Sequence, residues 1–343
     1  MFSVAPIRRA DASFWDNKTV LVTGAGGFVG SALCRALVDA GAQVVGIVRD
    51  SPADRLLDVR GVRSQMTVVR GSITDRACVE RALNEYEVDS CFHLAAQAII
   101  GVANRAPLST FESNIQGTWT VLEACRLSRT IRRVVVASSD KAYGDQPVLP
   151  YREDSPLDGR YPYDASKVCT DVLARCYAHT FDLPIVVTRC ANIYGAGDLN
   201  WSRLVPGTIR SVLQGEAPVI RSDGTPERDY LHVDDAVAGY LAAGRRAAHD
   251  GLRGRAINLG TGRPVSARAL VELILHEAGS SLEPRVLGQS NGEIDRQYLD
   301  PSLAFELLDW QADVELPDGL RRTIGWYANY LGASSLRVAA EVV

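Results

Sequence analysis

Short apolar runs rich in β-branched residues recur through the first half of the chain, and each is followed by a segment whose apolar residues return at helical spacing. The first, Thr19-Val20-Leu21-Val22-Thr23, ends in glycines and leads into Ser31-Ala32-Leu33-Cys34-Arg35-Ala36-Leu37-Val38. That succession predicts a strand, a tight loop and a helix. Further strands are predicted at 44–48, 67–69, 90–94, 134–137 and 185–188, with helical segments between them. Their apolar residues are continuous, not alternating, as in a parallel sheet covered on both faces. The expected fold class is α/β, a doubly wound parallel sheet.

After about Ala191 this alternation stops, and Gly, Pro and charged residues become more frequent. The pattern predicts one unit at 14–190 with a return near 230–262, in which Ala256-Ile257-Asn258-Leu259 rejoins the main sheet. A smaller mixed α/β region at 191–229 and 263–330 would close over the sheet's carboxyl edge, where doubly wound folds bind ligands.

The chain has 343 residues and a formal charge of −4, enough for one large domain or two intimate ones and too acidic for a broad nucleic-acid surface. Hydrophobic residues make up 46% of it, yet no apolar run is long enough to span a bilayer, and Met1-Phe2-Ser3-Val4-Ala5-Pro6 lacks the core of a signal peptide. A soluble, cytoplasmic protein is expected. The seven cysteines are scattered singly and predict neither a zinc site nor a disulfide framework.

Gly24-Ala25-Gly26-Gly27-Phe28-Val29-Gly30 changes the picture, because its glycines directly follow a predicted strand and open a helix. Glycines so placed allow a tight turn and let the backbone approach a pyrophosphate, which the helix N-terminus stabilises. This is the dinucleotide-binding arrangement of a Rossmann sheet. At the end of the second strand, Val48-Arg49-Asp50 admits two arrangements. Asp50 holds the ribose hydroxyls of NAD with Arg49 along the adenine, or Arg49 and Ser51 hold the 2′-phosphate of NADP.

Tyr163 and Lys167 are four residues apart, so a helix beginning near Pro162 presents both on one face. A nearby ammonium favours phenolate over phenol, and the expectation is that Lys167 lowers the tyrosine pKa toward that of a useful base. Ser139 precedes them at the end of the fifth strand and supplies a hydroxyl.

With these residues in place the chain resembles the extended short-chain dehydrogenases/reductases of the nucleotide-sugar epimerase and dehydratase group. The resemblance runs from Thr23-Gly24 through His93-Leu94-Ala95-Ala96, Asn114-Ile115-Gln116-Gly117-Thr118 and the Ser139/Tyr163/Lys167 triad to Arg228-Asp229-Tyr230-Leu231-His232-Val233-Asp234-Asp235. It implies that Gly24, Gly27, Phe28, Val29 and Gly30 meet the cofactor, that Ala95 and Ala96 line the nicotinamide side, and that Asn114 supports the active-site helix. It further implies that Ser139 binds the sugar 4-hydroxyl, that Tyr163 takes its proton, and that Lys167 also holds the nicotinamide ribose. Gln97, Asn192, Arg203 and Arg228 would contact the sugar nucleotide, with Arg228 suited to the diphosphate and Arg296 a second phosphate candidate. The cofactor implied is NAD, with NADP left open by Arg49, and the assembly implied is a homodimer through the helix after Phe111 and the one carrying Tyr163. Leu122, Cys125, Val172 and Cys176 lie on those helices, where a dimer face and single-chain packing explain them equally.

Two residues narrow the resemblance. Epimerases of the group usually carry small or neutral residues after the Ser/Thr, whereas 4,6-dehydratases carry Asp-Glu or, in the CDP-glucose type, Asp-Lys. Here the pair is Asp140-Lys141, and Phe14-Trp15-Asp16-Asn17-Lys18, Gln97 and Gly197-Asp198-Leu199-Asn200-Trp201 add to the CDP-glucose likeness. A 4-ketone makes the proton on carbon 5 removable, so an acid and a base beside the triad would expel water. Asp140 is the candidate acid, if burial raises a carboxyl from about 4; Lys141 is a base if burial brings it well below about 10.4, or otherwise a fixed charge that stabilises the enolate. The expected function is therefore an NDP-hexose 4,6-dehydratase. A 4-epimerase and a non-catalytic dinucleotide sensor are the alternatives. Two departures from the family stand out, Ser139 where threonine is common and Ser72 where an adenine-binding aspartate is common.

Overall fold

The structure, a computed structural model, describes residues 13–49, 55–249, 251–289 and 294–332. Its strands are β1 (Thr19–Thr23), β2 (Gln43–Val48), β3 (Thr67–Arg70), β4 (Ser90–His93), β5 (Arg133–Ala137), β6 (Ile185–Cys190), β7 (Asn192–Tyr194), β8 (Val219–Ile220), β9 (Glu227–His232), β10 (Ala256–Leu259), β11 (Pro264–Ser266), β12 (Arg285–Val286) and β13 (Arg296–Gln297). Seven of them form one parallel sheet in the order β10-β6-β5-β4-β1-β2-β3. The doubly wound sheet expected from the continuous apolar runs is therefore present. Strand order reverses between β1 and β4, which opens a crevice at their carboxyl ends.

The burial of both sheet faces explains why these strands are apolar throughout. One core, with Val20, Val22, Val135 and Val186, packs under helices Phe28–Asp39 and Val233–Arg246. The other, with Leu21, Val45, Val134 and Ile185, packs under helices Arg76–Glu85, Gly117–Leu127 and Pro162–Phe181. Trp15, fully buried, lies against Phe92 with ring centroids 5.5 Å apart.

Beyond β6 the chain builds a four-stranded sheet from β7, β9, β11 and β13, and a small pair from β8 and β12. Tyr194, Ile209, Leu270 and Tyr327 form a separate apolar cluster there. β10 returns to the main sheet beside β6. Trp310 closes the junction by donating from its indole nitrogen to the Asp235 carbonyl at 3.0 Å.

Candidate active site

The first element of the site is the glycine loop after β1. Gly24 adopts φ +71°, and a Cβ there would lie 2.9 Å from the Ala95 backbone. A Cβ at Gly30 would run into the Gly24 carbonyl oxygen. The loop closes with Gly27 N–H donating to Gly24 C=O at 2.9 Å, and the helix Phe28–Asp39 starts at once. This cradle, which side chains would fill, fits a dinucleotide pyrophosphate at the helix N-terminus. Phe28 and Val29 stand partly buried in the first helical turn. Arg49 is exposed at the end of β2, whereas Asp50 and Ser51 lie outside the described residues. Ser72 bonds Thr74 across its turn at 2.8 Å.

The second element is a buried polar spine joining β1, β4 and the central helices. His93, held neutral because burial lowers its pKa to about 3, bridges Thr23 Oγ1 at 2.8 Å and Thr118 Oγ1 at 3.0 Å. Thr23 Oγ1 also accepts from Ala95 N–H at 3.2 Å, which fixes the Ala95-Ala96 backbone beside the glycine loop. Asn114 sits in a wider π-helical turn, Glu112–Gln116, of the kind often found at functional sites. Its amide accepts from Gln97 N–H at 2.7 Å, donates to Gln97 C=O at 3.1 Å and donates to Ser166 Oγ at 2.9 Å. Ser166 in turn donates to the Tyr163 carbonyl at 2.6 Å, so Asn114 supports the active-site helix from one side.

Helix Pro162–Phe181 begins with proline, whose fixed φ and missing N–H suit a first helical position. It brings Tyr163 to Ser139 in a side-chain hydrogen bond and puts Lys167 Nζ 5.9 Å from the Tyr163 ring centre. Lys167 donates to the Ala137 carbonyl at 2.7 Å. The expected depression of the tyrosine pKa is absent. Burial pushes Tyr163 up to about 12, outweighing its bond to Ser139, and burial also pulls Lys167 down to about 8. Four-residue spacing brings a charge near the ring, but desolvation of the phenolate, set by the packing around it, is the larger effect here.

The third element is the turn after β5. Ser139 caps a short 3₁₀ helix, Asp140–Tyr143, by accepting from Lys141 N–H at 3.2 Å, and it donates to Asp140 Oδ1 at 3.0 Å. Asp140 is 2% exposed, and its Oδ2 has no hydrogen bond but faces Lys141 Nζ at 3.6 Å. Lys141 Nζ donates to Gln297 Oε1, and Gln297 Nε2 donates to the Asp140 carbonyl at 3.3 Å. Burial lowers the Lys141 pKa; Asp140 and Asp164 oppose that shift and Arg228 adds to it. The turn stands on a buried network: Arg189 bonds both Asp171 oxygens at 2.8 and 3.0 Å and Tyr143 Oη at 2.8 Å.

Two residues of this group are ones that the sequence reading passed over. Gln297 is separated from Lys141 by 156 positions, and only the pairing of β13 with β9 carries it there. Asp164 was visible, but an acidic residue in a first helical turn is ordinary. In the structure it is 5% exposed, and burial raises its pKa to about 6, with Lys141 opposing and Asp140 adding to the shift.

The outer candidates are spread along the smaller region. Asn192, on β7, donates to the Asp229 carbonyl at 3.4 Å. Arg203 pairs with Asp198 at 2.9 Å, and its charge reaches Tyr163. Arg228, on β9, donates to the Glu227 carbonyl at 2.8 Å and is felt by Lys141. Arg296 points away into an exposed pair with Glu227 at 2.6 Å.

A dinucleotide cradle, a hydroxyl/phenol/ammonium triad and an adjoining acid–amine pair thus share one crevice. Residues 20–260 match the NAD dependent epimerase/dehydratase family. The chain belongs to that family. Its members are enzymes acting on nucleotide sugars, with NAD as cofactor. A UDP-glucose 4-epimerase from Mycolicibacterium smegmatis is 32% identical over 90% of this chain and 98% of the relative. A CDP-glucose 4,6-dehydratase from Salmonella typhimurium is 28% identical over 96% of each. The crystal structure of a dTDP-glucose 4,6-dehydratase from Bacillus anthracis, in complex with NAD, superposes with a TM-score of 0.81 at 25% identity, covering 92% of this chain and 98% of that one. Among the described residues, no helix is long and apolar enough to cross a membrane.

Proposed function

We propose that this family member is a nucleotide-sugar 4,6-dehydratase, converting a CDP-glucose-like NDP-hexose to the NDP-4-keto-6-deoxyhexose. The observation that carries the reading is the pairing of buried Asp140 with partly buried Lys141, 3.6 Å apart and next to Ser139. Epimerisation at carbon 4 has no use for such a pair; elimination of water needs one.

Gly24, Gly27, Phe28, Val29 and Gly30 hold the pyrophosphate, Ala95 and Ala96 border the nicotinamide, and Tyr163 and Lys167 reach its ribose. Bound NAD supplies a positively charged acceptor that takes a hydride from the sugar and gives it back. Ser139 hydrogen-bonds the 4-hydroxyl while Tyr163 removes its proton, a transfer the nearby positive charges favour. Lys141 then takes the proton from carbon 5, and Asp140 protonates the hydroxyl leaving carbon 6. In that step one member of the pair gains a proton and the other gives one up, so the net charge of the pair does not change. As carbon 6 receives the hydride, Lys141 gives its proton back to carbon 5, and the proton that Tyr163 took from the 4-hydroxyl restores Asp140 through Ser139, which bonds both residues. Gln97, Asn192, Arg203 and Arg228 supply the contacts to the nucleotide and sugar, with Arg228 suited to the phosphates, whereas Arg296 is engaged in its exposed pair with Glu227.

Incubation with UDP-, dTDP- and CDP-glucose tests this directly. Loss of water by mass spectrometry, fastest with CDP-glucose, is expected. Substrate recovered intact counts against the dehydratase; substrate only inverted at carbon 4 favours the epimerase, to which the Mycolicibacterium relative points.

We further propose a homodimer through helices Gly117–Leu127 and Pro162–Phe181. Trp119 is 46% exposed and Val172 48%, and Cys176 is exposed beside them. Leu122 and Cys125 are fully buried in the chain's own core and belong to no outer face. Val172→Arg is expected to yield particles of half the wild-type mass in sedimentation velocity; a monomeric wild type would contradict the dimer.

A further inference from the structure

Gln297 does more than fill space. Its side chain is fully buried, and both ends of its amide are used. Nε2 donates to the Asp140 carbonyl at 3.3 Å, which forces Oε1 to face Lys141 Nζ, whose hydrogen bond it accepts. The backbone is pinned as well. β13 runs parallel to β9 with Gln297 opposite Arg228, Glu227 N–H donates to the Asp295 carbonyl at 2.7 Å, and Tyr151 N–H to the Tyr298 carbonyl at 2.9 Å.

We infer that Gln297 is the positioning residue of Lys141: it holds one N–H of the amine in a fixed direction and leaves the others to Asp140 and the substrate. The inference rests on the dehydratase reading above. An amide oxygen accepts from the amine whether it is charged or neutral, so the grip survives both halves of a proton-transfer cycle. A charged donor makes the stronger hydrogen bond, so Gln297 also favours the ammonium, alongside Asp140 and Asp164 and against burial and Arg228.

The chain has only three lysines, Lys18, Lys141 and Lys167, so ¹⁵N-lysine labelling of the NAD-loaded enzyme follows the Lys141 amine directly, with Lys141→Met assigning its resonance. Gln297→Met removes the acceptor and is expected to move the Lys141 titration to lower pH. Gln297→Glu adds a carboxylate and is expected to move it to higher pH. The acid limb of the kcat profile follows in the same two directions. The methionine variant loses roughly tenfold in kcat, at the low end of what a misplaced base costs, with KM nearly unchanged. A Lys141 titration unmoved in both variants, or a kcat loss with both limbs unmoved, overturns the inference. Lys141→Met separates it from the reading beneath: dehydration at wild-type rate in that variant sinks Lys141 as the base, whereas its loss with silent Gln297 variants sinks only the positioning role.

Discussion

Tyr163→Phe is expected to lower turnover by about 10²–10⁴-fold, a barrier increase of roughly 3–5 kcal/mol, while NAD affinity and melting temperature stay near wild type. The phenylalanine keeps the ring, and Ser166 still donates to the backbone carbonyl of residue 163 at 2.6 Å. What is lost is the one oxygen that pairs with Ser139 and receives the proton of the 4-hydroxyl. Both the dehydratase and the epimerase begin by oxidising carbon 4, so the variant tests the shared redox step. Because burial pushes Tyr163 up to about 12, wild-type activity should rise with pH toward the alkaline side. Steady-state kinetics together with cofactor titration by fluorescence check both parts. A variant with wild-type turnover removes Tyr163 from the mechanism.

Asp140→Asn is expected to reduce dehydration by about 10²–10⁴-fold, the usual cost of losing a positioned general acid. Asparagine is nearly the same size and still accepts from Ser139, which donates to Oδ1 at 3.0 Å, so the turn should survive. It cannot deliver a proton to a leaving hydroxyl, and it leaves Lys141 without its partner at 3.6 Å. Oxidation at carbon 4 is untouched, so the variant should reduce bound NAD without releasing water. Stopped-flow absorbance of the reduced cofactor, followed by product mass analysis, separates these events. Rapid dehydration by this variant would place the acid elsewhere, with Asp164 the neighbouring carboxyl.

The parts of this site that were legible in the sequence are those set by local spacing. The glycines at 24, 27 and 30 and the four-residue step from Tyr163 to Lys167 each define a geometry within one loop or one helix turn. Ser139-Asp140-Lys141 was legible for the same reason, being the end of a strand whose apolar run announces it. Gln297 was not, because a two-residue strand with one polar side chain carries no periodic signal, and its place depends on pairing with β9. The acid strength of Tyr163 was misjudged because charge proximity can be read from spacing, while desolvation depends on everything packed around the ring. Leu122 and Val172 illustrate a similar limit: both lie on helices flanking the sheet, and only the three-dimensional packing shows that one faces inward and the other outward. The smaller region was anticipated only as mixed α/β, and its loops are held by side chains such as Asp229, which accepts from Thr261 N–H at 3.0 Å and Gly262 N–H at 3.1 Å.

In the proposed reaction the hydride leaves carbon 4 and is returned at carbon 6, with water lost between. CDP-glucose carrying deuterium at carbon 4 follows that path in a single incubation, with the product examined by NMR and mass spectrometry. A 4-keto-6-deoxy product with the deuterium on carbon 6 is expected. Deuterium back on carbon 4 of an inverted hexose that has kept its water rules this path out.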